Sequence, residues 1–396
     1  MIEKVQFRNF KAYRSLDLEL EPFTVLVGPN ASGKTTLLEG LELVSLAGAL
    51  GALPNESSIS EKEGMRSFGI SSPVVIGIEG RWHGTHGTVN IRSEHLDEWG
   101  QPGRFLISGK IGEHEFPKPK APEAPKHPTG LNMIEYVSGF PTLEPALLQF
   151  REAVGSTAVL RLEPQKLARA SYSEEPVPNV GKDGAGLASV LAYLKLSHDE
   201  VFSEIEAALR QVVPAVRRIR IERAPVEQTA VRTIALDEQK HQVAEKRTLW
   251  GNQFVLDMRG AKGVSAGSVG EGTLMVLGLL TVLMGPTKPR LVLLDDIELS
   301  LHPSAQARLI ESLRAIQKRD PELQIIATSH SPFILNYLDP KEVRMTFLAE
   351  NGFARCEKLT AHPEFEKWKD LMAPGEFWST VGEEWIGKLG GAVASE

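Results

Sequence analysis

Apolar and polar residues alternate at the start of the chain, over residues 4–8 and again over residues 16–21. A period of two predicts half-buried strands. The next run, Phe23–Val27, is apolar apart from one threonine, as is typical of a strand that is covered on both faces. A glycine-rich turn and a helical pattern over residues 34–46 follow it. The pattern therefore predicts paired strands, and then a buried strand that leads through a tight turn into a helix.

Shorter alternating runs, punctuated by glycine and proline, fill the middle of the chain. Strands are predicted over residues 74–79, 88–92, 104–111, 156–163, 216–222 and 229–236, and helices over residues 186–196 and 199–212. The first three of these strands are expected to form an antiparallel meander. Five prolines, with Lys118, Lys120 and Lys126 among them, predict an extended and exposed loop over residues 114–130.

The last third of the chain has the clearest pattern. An apolar helix is predicted over residues 273–284, followed by a strand over 290–294, a helix over 303–317 and a strand over 324–328. A strand–helix–strand unit of this kind joins two parallel strands by a right-handed connection. The whole pattern indicates an α/β protein.

The turn after Phe23–Val27 carries a phosphate-binding pattern. Residues 28–35 fit G-x-x-x-x-G-K-[ST], in which glycines let backbone N–H groups surround an anion and the next helix adds its positive end. Lys34 is expected to reach the β and γ phosphates, and Thr35 to offer a hydroxyl to Mg²⁺. A chance glycine-rich turn is the weaker interpretation, because a strand and a helix flank the motif as required. The predicted nucleotide-binding residues are Gly28, Pro29, Asn30, Ala31, Ser32, Gly33, Lys34, Thr35 and Thr36.

Acidic residues follow the predicted strand over residues 290–294. Asp295 comes first, at the carboxyl end of a buried strand, where open α/β sheets bind ligands. It is expected to hold Mg²⁺ together with Thr35, through water. Asp296 is placed to polarise the attacking water, and Glu298 is a second candidate for that role. A solvated acidic turn is the alternative, which the nearby phosphate-binding pattern weakens.

Two further turns could contact phosphate. His330 follows the last predicted strand in a hydroxyl-rich turn and could hydrogen-bond to the γ phosphate, although a structural histidine is the alternative. Residues 267–274 place three glycines at the start of an apolar helix, which suits a second anion-binding tip. The alternative is a flexible turn that only starts a core helix. Since one chain needs only one such tip, the simplest functional explanation is that this turn completes the nucleotide site of a second copy.

Composition and charge limit the partners and the cellular location that can be expected. The chain has 44 Lys and Arg residues against 51 Asp and Glu residues, which gives a net charge of −7. This charge excludes a protein that binds polyanions constitutively, but it is compatible with a local basic patch. Arg217, Arg218, Arg220 and Arg223 could form such a patch for DNA, although a charged strand edge is the more common explanation. The single cysteine, Cys356, fits a reducing cytoplasm. No apolar run reaches the roughly 20 residues that a bilayer requires. We therefore expect a soluble, cytoplasmic protein without a membrane partner.

Together these motifs resemble the ATP-binding-cassette-type ATPases of the SMC, RecF and OLD group, and the stand-alone RecF/OLD-like ATPases in particular. FRNFKAY (7–13) resembles their N-terminal strand, GPNASGKT (28–35) their Walker A motif, LLDDIELSLHP (293–303) their Walker B motif and ATSHSP (327–332) their switch-histidine segment. The resemblance implies an α/β P-loop NTPase of the ABC/SMC-head type. Its mixed sheet would have N-terminal antiparallel strands, with an α+β insertion between Walker A and Walker B.

In that family two heads enclose ATP, and the Walker A motif of one head faces the signature of the other. The resemblance therefore implies a homodimer, ATP and Mg²⁺ as cofactors, and a signature that acts in trans, formed by Ser268, Gly270, Glu271 and Gly272. Two registers are open: S-x-G-E begins at Ser268, whereas aligning residues 272–274 with S-x-G-T-L puts Gly270 where serine belongs. Asp296 stands where the family has glutamate, so we expect slow hydrolysis or a larger part for Glu298.

The motifs divide the chain into four expected segments: residues 1–46 and 251–346 form the ATPase head, 47–250 an insertion, and 347–396 a C-terminal extension. Neither the Toprim nuclease domain of OLD proteins nor the coiled coil of SMC proteins is expected. The first hypothesis is an ATPase that couples hydrolysis to action on DNA or a DNA-bound complex, in repair or in defence against mobile DNA. The alternative is an ATP-gated scaffold or sensor that controls an effector protein with little turnover.

Overall fold

The computed structural model of the chain describes residues 1–50, 73–82, 84–94, 104–115, 148, 154–236, 239–298 and 300–389. Most of the predicted proline-rich loop, including Lys118, Lys120 and Lys126, lies outside the described residues. Among the helices that are described, none is both long enough and apolar enough to cross a bilayer.

Strands and helices are numbered in chain order. The strands are β1 (Ile2–Phe10), β2 (Tyr13–Glu19), β3 (Phe23–Val27), β4 (Val75–Trp82), β5 (Thr85–Glu94), β6 (Arg104–Ile111), β7 (His114–Glu115), β8 (Thr157–Leu160), β9 (Val216–Leu236), β10 (Gln239–Met258), β11 (Ala261–Ser265), β12 (Leu291–Leu294), β13 (Gln324–Ser329), β14 (Val343–Leu348) and β15 (Ala354–Lys358). The helices are α1 (Lys34–Leu50), α2 (Pro164–Leu167), α3 (Leu187–Ser197), α4 (Asp199–Val212), α5 (Glu271–Met284), α6 (Pro303–Arg319), α7 (Pro332–Leu335), α8 (Phe365–Trp368), α9 (Pro374–Val381) and α10 (Glu384–Leu389).

The chain forms two compact units that alternate along the sequence. One unit contains Met1–Val159, Pro289–Glu298 and Asp320–Glu396, and the other contains Leu160–Lys288 and Leu299–Arg319. One boundary between the units thus falls inside the segment 47–250. The division into four segments at 46/47, 250/251 and 346/347 stays a prediction.

A largely parallel sheet organises the first unit. Its strand order is β15-β14-β3-β13-β12-β8, in which β12, β13, β3 and β14 run parallel and β15 returns antiparallel. Every residue of β3, β12 and β13 is buried, because these strands carry apolar side chains on both faces. The predicted parallel pairing of the two strands that flank the helix over residues 303–317 is confirmed.

An antiparallel sheet of order β2-β1-β4-β5-β6-β7 forms the other layer of this unit. It contains the predicted N-terminal strand pair and the predicted meander of β4, β5 and β6. Helix α1 packs between the two sheets: its leucines share one core with Phe7 of β1 and Leu293 of β12. The approach is close, because a Cβ atom added to Gly40 would lie 2.3 Å from the Phe7 ring.

The second unit contains helices α2 to α6 and a three-stranded sheet of order β11-β10-β9. The buried residues of α4 recur every three to four positions, and α5 is apolar on nearly every side. The prediction of two separate strands over residues 216–222 and 229–236 was wrong, because both belong to β9, a single strand of 21 residues. Pro225 masked this continuity, yet it is tolerated because β9 lies at the edge of its sheet.

Strand β10 was not predicted at all. It is 20 residues long and pairs with β9 from Gln239↔Leu236 to Met258↔Val216. Its first half reads QKHQVAEKRT, which lacks the apolar alternation from which strands are predicted. Over this half, pairing with β9 and not an apolar alternation in the sequence defines the strand.

Candidate nucleotide-binding site

The phosphate loop joins β3 to α1 and depends on two glycines with positive φ. Gly28 has φ +147° and Gly33 has φ +98°. A Cβ atom at Gly28 would lie 2.3 Å from the backbone oxygen of Thr346, and one at Gly33 would lie 2.8 Å from Cβ of Ala354. Only glycine therefore fits at either position. Between them, Pro29, Asn30 and Ala31 are exposed at the tip of the loop.

Lys34, the first residue of α1, points back into the loop. Its side chain is buried, and its Nζ donates hydrogen bonds to the carbonyl oxygens of Gly28 at 2.8 Å and Pro29 at 2.7 Å. Burial lowers the pKa of Lys34, whereas the carboxylates of Asp296, Asp295, Glu298 and Glu383 raise it. The next hydroxyl, on Thr35, is exposed at the start of the helix, and Thr36 is half-buried.

Residues of strands β14 and β15 contact the phosphate loop. The sequence motifs did not indicate these contacts. Thr346 of β14 hydrogen-bonds through its hydroxyl to Ser32 and also to the carbonyl oxygen of Val27, the latter at 3.0 Å. The buried Tyr13 and Ala354 lie against Gly33. Two of these supporting residues, Thr346 and Ala354, follow the loop by more than 300 positions.

The acidic segment after β12 is fixed by one hydroxyl of the neighbouring strand. Thr328 of β13 donates a hydrogen bond to Asp295 Oδ1 at 2.6 Å and accepts one from the backbone N–H of Asp296 at 2.8 Å. The N–H of Ile297 donates to the carbonyl oxygen of Thr328 at 2.9 Å. Thr328 lies within the ATSHSP motif, but sequence analysis gave it no role.

Asp296 has a left-handed backbone with φ +54°, which Asp and Asn tolerate better than most residues. Partial burial, then Glu298 and Asp295, raise the pKa of Asp296, whereas His330 and Lys34 lower it. Because its side chain is 63% exposed, solvent screens these effects. Asp296 is therefore a solvent-facing carboxylate with like-charged neighbours.

His330 and Glu298 are connected directly. The backbone N–H of His330 donates to Glu298 Oε1 at 2.9 Å, and His330 Nε2 lies 3.9 Å from Asp296 Oδ1. The other oxygen of Glu298 is buried and has no hydrogen-bond partner among the described residues. Glu298 thus anchors the turn that carries His330, while Asp296 faces solvent.

These groups meet at one edge of the parallel sheet. The phosphate loop follows β3, Asp295 follows β12 and His330 follows β13, and all three strands run parallel. The carboxyl ends of parallel strands are where open α/β sheets bind ligands. The loop, the acidic segment and His330, predicted separately from the sequence, are therefore brought together within one unit.

The predicted signature lies in the other unit. Ser268 ends a 3₁₀ turn, Ala266–Ser268, and its Oγ lies 2.9 Å from Ser265 Oγ. Ser268, Gly270 and Glu271 are exposed, whereas Gly272 is buried in the first turn of α5. A Cβ atom at Gly267 or Gly270 would meet no other part of the described chain within 4 Å. The choice between the two signature registers stays a prediction.

The residues at the sheet edge fit a magnesium nucleotide. Glycines with positive φ allow the backbone to curve around phosphate, and a buried ammonium group lies inside that curve. The Thr35 hydroxyl and the Asp295 carboxylate are oxygen donors of the kind that Mg²⁺ prefers, alongside phosphate and water. The fold and this site define a P-loop nucleotide-binding protein.

Two protein-family models match the chain. One, described as "AAA ATPase domain", covers residues 1–60. The other, described as "AAA domain, putative AbiEii toxin, Type IV TA system", covers residues 167–336. Together they include the phosphate loop, the signature turn, Asp295 and His330.

Curated relatives match over shorter stretches. The OLD nuclease of Thermus scotoductus is 28% identical over 131 residues, which are 33% of this chain and 23% of that protein. The DNA replication and repair protein RecF of Roseiflexus castenholzii is 51% identical over 41 residues, 10% of each chain. The chain therefore spans less than a quarter of the length of either relative.

A solved structure supports the fold. The SMC head bound to the C-winged-helix domain of ScpA has a TM-score of 0.53 at 12% identity, over 90% of this chain and 97% of that one. Together with this fold, the two family models and the curated relatives support a RecF/OLD/SMC-like P-loop ATPase. The predicted resemblance and the predicted α/β fold of the SMC-head type are both confirmed.

Proposed function

We propose that this protein binds and hydrolyses ATP with Mg²⁺, dimerises around the nucleotide, and couples hydrolysis to action on DNA or on a DNA-bound complex. The observation that carries the proposal is the meeting of Lys34, Asp295 and His330 at the carboxyl ends of adjacent parallel strands. Loop glycines, a buried lysine and a carboxylate beside a histidine suit a triphosphate, whose transfer depends on positioning and charge stabilisation.

Each group has a distinct role in this proposal. The loop N–H groups and Lys34 hold the β and γ phosphates, and Thr35 and Asp295 hold Mg²⁺, which when bound neutralises charge on the phosphates. Asp296 orients the attacking water and accepts its proton. His330 donates a hydrogen bond to the γ phosphate, and Glu298 keeps His330 in place through its backbone.

The dimer is proposed because the signature turn is open to a neighbour. Ser268 and Gly270 are exposed, and a Cβ atom at Gly270 would lie more than 4 Å from the other described parts of the chain. In the proposal this turn contacts the γ phosphate bound by a second copy of the chain. Sizing by light scattering tests it: Asp296→Asn should be a monomer without nucleotide and a dimer with ATP and Mg²⁺. A monomer under both conditions, with ATP bound, would refute the sandwich.

Action on DNA is proposed from the relatives, one of which is named a nuclease and the other a DNA replication and repair protein. Arg217 and Arg218 at the start of β9 are exposed, whereas Arg220 lies 3.5 Å from the Asp257 carboxylate and is partly neutralised. Duplex DNA should raise ATP turnover, and Arg217→Glu with Arg218→Glu should abolish that rise. The matched control is Lys318→Glu with Arg319→Glu, an equal charge change at two exposed residues of the same unit.

A second candidate, an ATP-gated scaffold or sensor for an effector protein, is favoured by Asp296. Its carboxylate is one methylene shorter than the glutamate of the family, and its backbone is left-handed. Turnover that stays slow and does not respond to DNA of any length, with nucleotide-dependent dimerisation retained, would favour the scaffold. Restoration of fast turnover by Asp296→Glu would show that the short side chain is what limits hydrolysis.

A further inference from the structure

Helix α9, in the C-terminal part of the chain, packs against the helix that directly follows His330. The contact is between Gly375, near the start of α9, and the residues of α7. A Cβ atom at Gly375 would lie 1.9 Å from the carbonyl oxygen of Pro332, so the two backbones touch. Pro332 is only two residues after His330. A change in the position of α9 would therefore move the turn that carries this histidine.

A side chain locks this contact. Asn336, at the end of α7, accepts a hydrogen bond through Oδ1 from the backbone N–H of Gly375 at 2.8 Å. At the other end of α7, the N–H of Ser331 donates to Ser329 Oγ at 3.0 Å, and His330 is bound to Glu298. The turn is therefore fixed from two sides, by the acidic segment and by α9.

Helix α9 has its own anchor. Phe377 is buried and meets the rings of His362 and Phe365 edge-on, with centroids 5.1 and 5.8 Å apart. Further along, Trp378 Nε1 donates to Glu383 Oε1 at 2.6 Å, and Trp385 packs edge-on against His362 at 4.9 Å. These contacts fix α9 without any residue of the phosphate loop.

The same segment reaches the phosphate loop electrostatically. Glu383, held by Trp378, is one of the carboxylates that raise the pKa of Lys34. One stretch of chain therefore approaches both the histidine turn and the loop lysine. Neither Walker motif contains any of these residues.

We propose that residues 374–386, which we name the C-terminal brace, position His330 for its contact with the γ phosphate, with Gly375 and Asn336 as the positioning residues. The inference rests on the proposed function in one respect, the role of His330 in hydrolysis. The brace works by fixing the backbone of α7, so that the histidine ring presents one orientation to the nucleotide. Without the Asn336 hydrogen bond, the ring of His330 can adopt several orientations, while the other groups of the site stay in place.

The test uses Asn336→Ala in the full chain, with Asn351→Ala as the matched control. Both asparagines are exposed and accept a backbone N–H, that of Gly375 in one case and that of Phe353 in the other. Asn336→Ala should lower kcat for ATP about tenfold and leave KM unchanged, because misplacing a catalytic group affects the transition state. In a His330→Ala background, the same substitution should change kcat by less than about twofold. Asn351→Ala should match the wild type.

A second measurement does not depend on turnover. The ring resonances of His330, identified by their loss in His330→Ala, should shift or broaden in Asn336→Ala and stay in place in Asn351→Ala. Equal effects of Asn336→Ala with and without His330, or unchanged His330 resonances, would overturn the brace. If the wild type hydrolyses no ATP, the proposed function is refuted. The His330 resonances still test whether the brace positions this histidine, because they do not depend on hydrolysis.

Discussion

The chain contains two glycine-rich turns at the start of a helix, and the structure gives them opposite surroundings. At residues 28–33, the glycines are pressed against Thr346 and Ala354. At residues 267–270, a Cβ atom added to either glycine would meet none of the residues that the structure describes within 4 Å. The first turn is built by its own unit into a closed loop with a lysine inside. The second has an open face, which suits a turn that completes a site on another molecule.

The largest expected effect comes from disabling each turn separately. Lys34→Ala and Ser268→Glu should each lower ATP turnover about 100-fold or more, because one removes a phosphate contact and the other adds a repelling charge. Lys34→Ala should also lose nucleotide binding, whereas Ser268→Glu should retain binding as a monomer. Equilibrium binding of a fluorescent ATP analogue separates the two.

Mixing the two variants sharpens this comparison. A mixed dimer has one site in which the intact loop of one subunit faces the intact turn of the other. An equal mixture should therefore recover up to about half of wild-type turnover, since neither variant dimerises alone and each mixed dimer has one intact site of two. No recovery, with mixed dimers present, would mean that the second turn does not act in trans.

Stability gives the next largest effect. Gly28→Ala should destabilise the protein by about 2–3 kcal/mol, because the new methyl group meets backbone. Gly270→Ala should cost about 1 kcal/mol or less, because its φ of −57° suits alanine and no described residue lies within 4 Å of the added methyl group, so that only the poorer N-cap is lost. Urea titration monitored by circular dichroism measures both. Equal losses would show that the second turn is as tightly packed as the first.

A smaller effect is expected in the pH dependence of hydrolysis. Neighbouring carboxylates help to raise the pKa of Asp296, and a base must be ionised to act, so kcat should fall on acidification at a higher pH than for an ordinary aspartate. Glu298→Gln keeps an oxygen acceptor for the N–H of His330 but removes one negative charge. The midpoint of the fall should therefore move to lower pH. A midpoint unchanged by this variant would exclude Asp296 as the titrating base.

The smallest predicted effect concerns Glu383. Its charge acts on Lys34, so Glu383→Gln should strengthen ATP binding about twofold, and less at high salt. Glu384→Gln is the matched control, because the neighbouring glutamate is exposed and does not act on Lys34. Isothermal titration calorimetry at two salt concentrations checks both variants. If both variants bind ATP with the same affinity, the charge of Glu383 does not act on the phosphate loop.

Sequence alone predicted the parts of the site whose signals are local. The phosphate loop, the acids after β12 and His330 each combine a short motif with an apolar strand, and the parallel pairing of β12, β13 and β3 confirms the architecture that joins them. Thr328 was missed because a threonine in a buried strand gives no separate signal. Its role appears only when Asp295 lies beside it.

Other parts depend on contacts between distant positions. The support of Gly33 by Tyr13 and Ala354 joins residues far apart in sequence, and no local pattern encodes it. The hairpin of β9 and β10 was missed because cross-strand pairing, not an alternating apolar face, defines much of its length. The brace was similarly hidden, since Gly375 is informative only beside Pro332.

The hydrogen bond between Ser32 and Thr346 spans 314 positions. During synthesis, the phosphate loop therefore leaves the ribosome long before the strand that supports it. A nascent chain that exposes the Walker A segment before β14 is made lacks the strand that supports the phosphate loop. Nucleotide binding should accordingly become possible only after β14, 314 positions beyond the loop serine, has emerged.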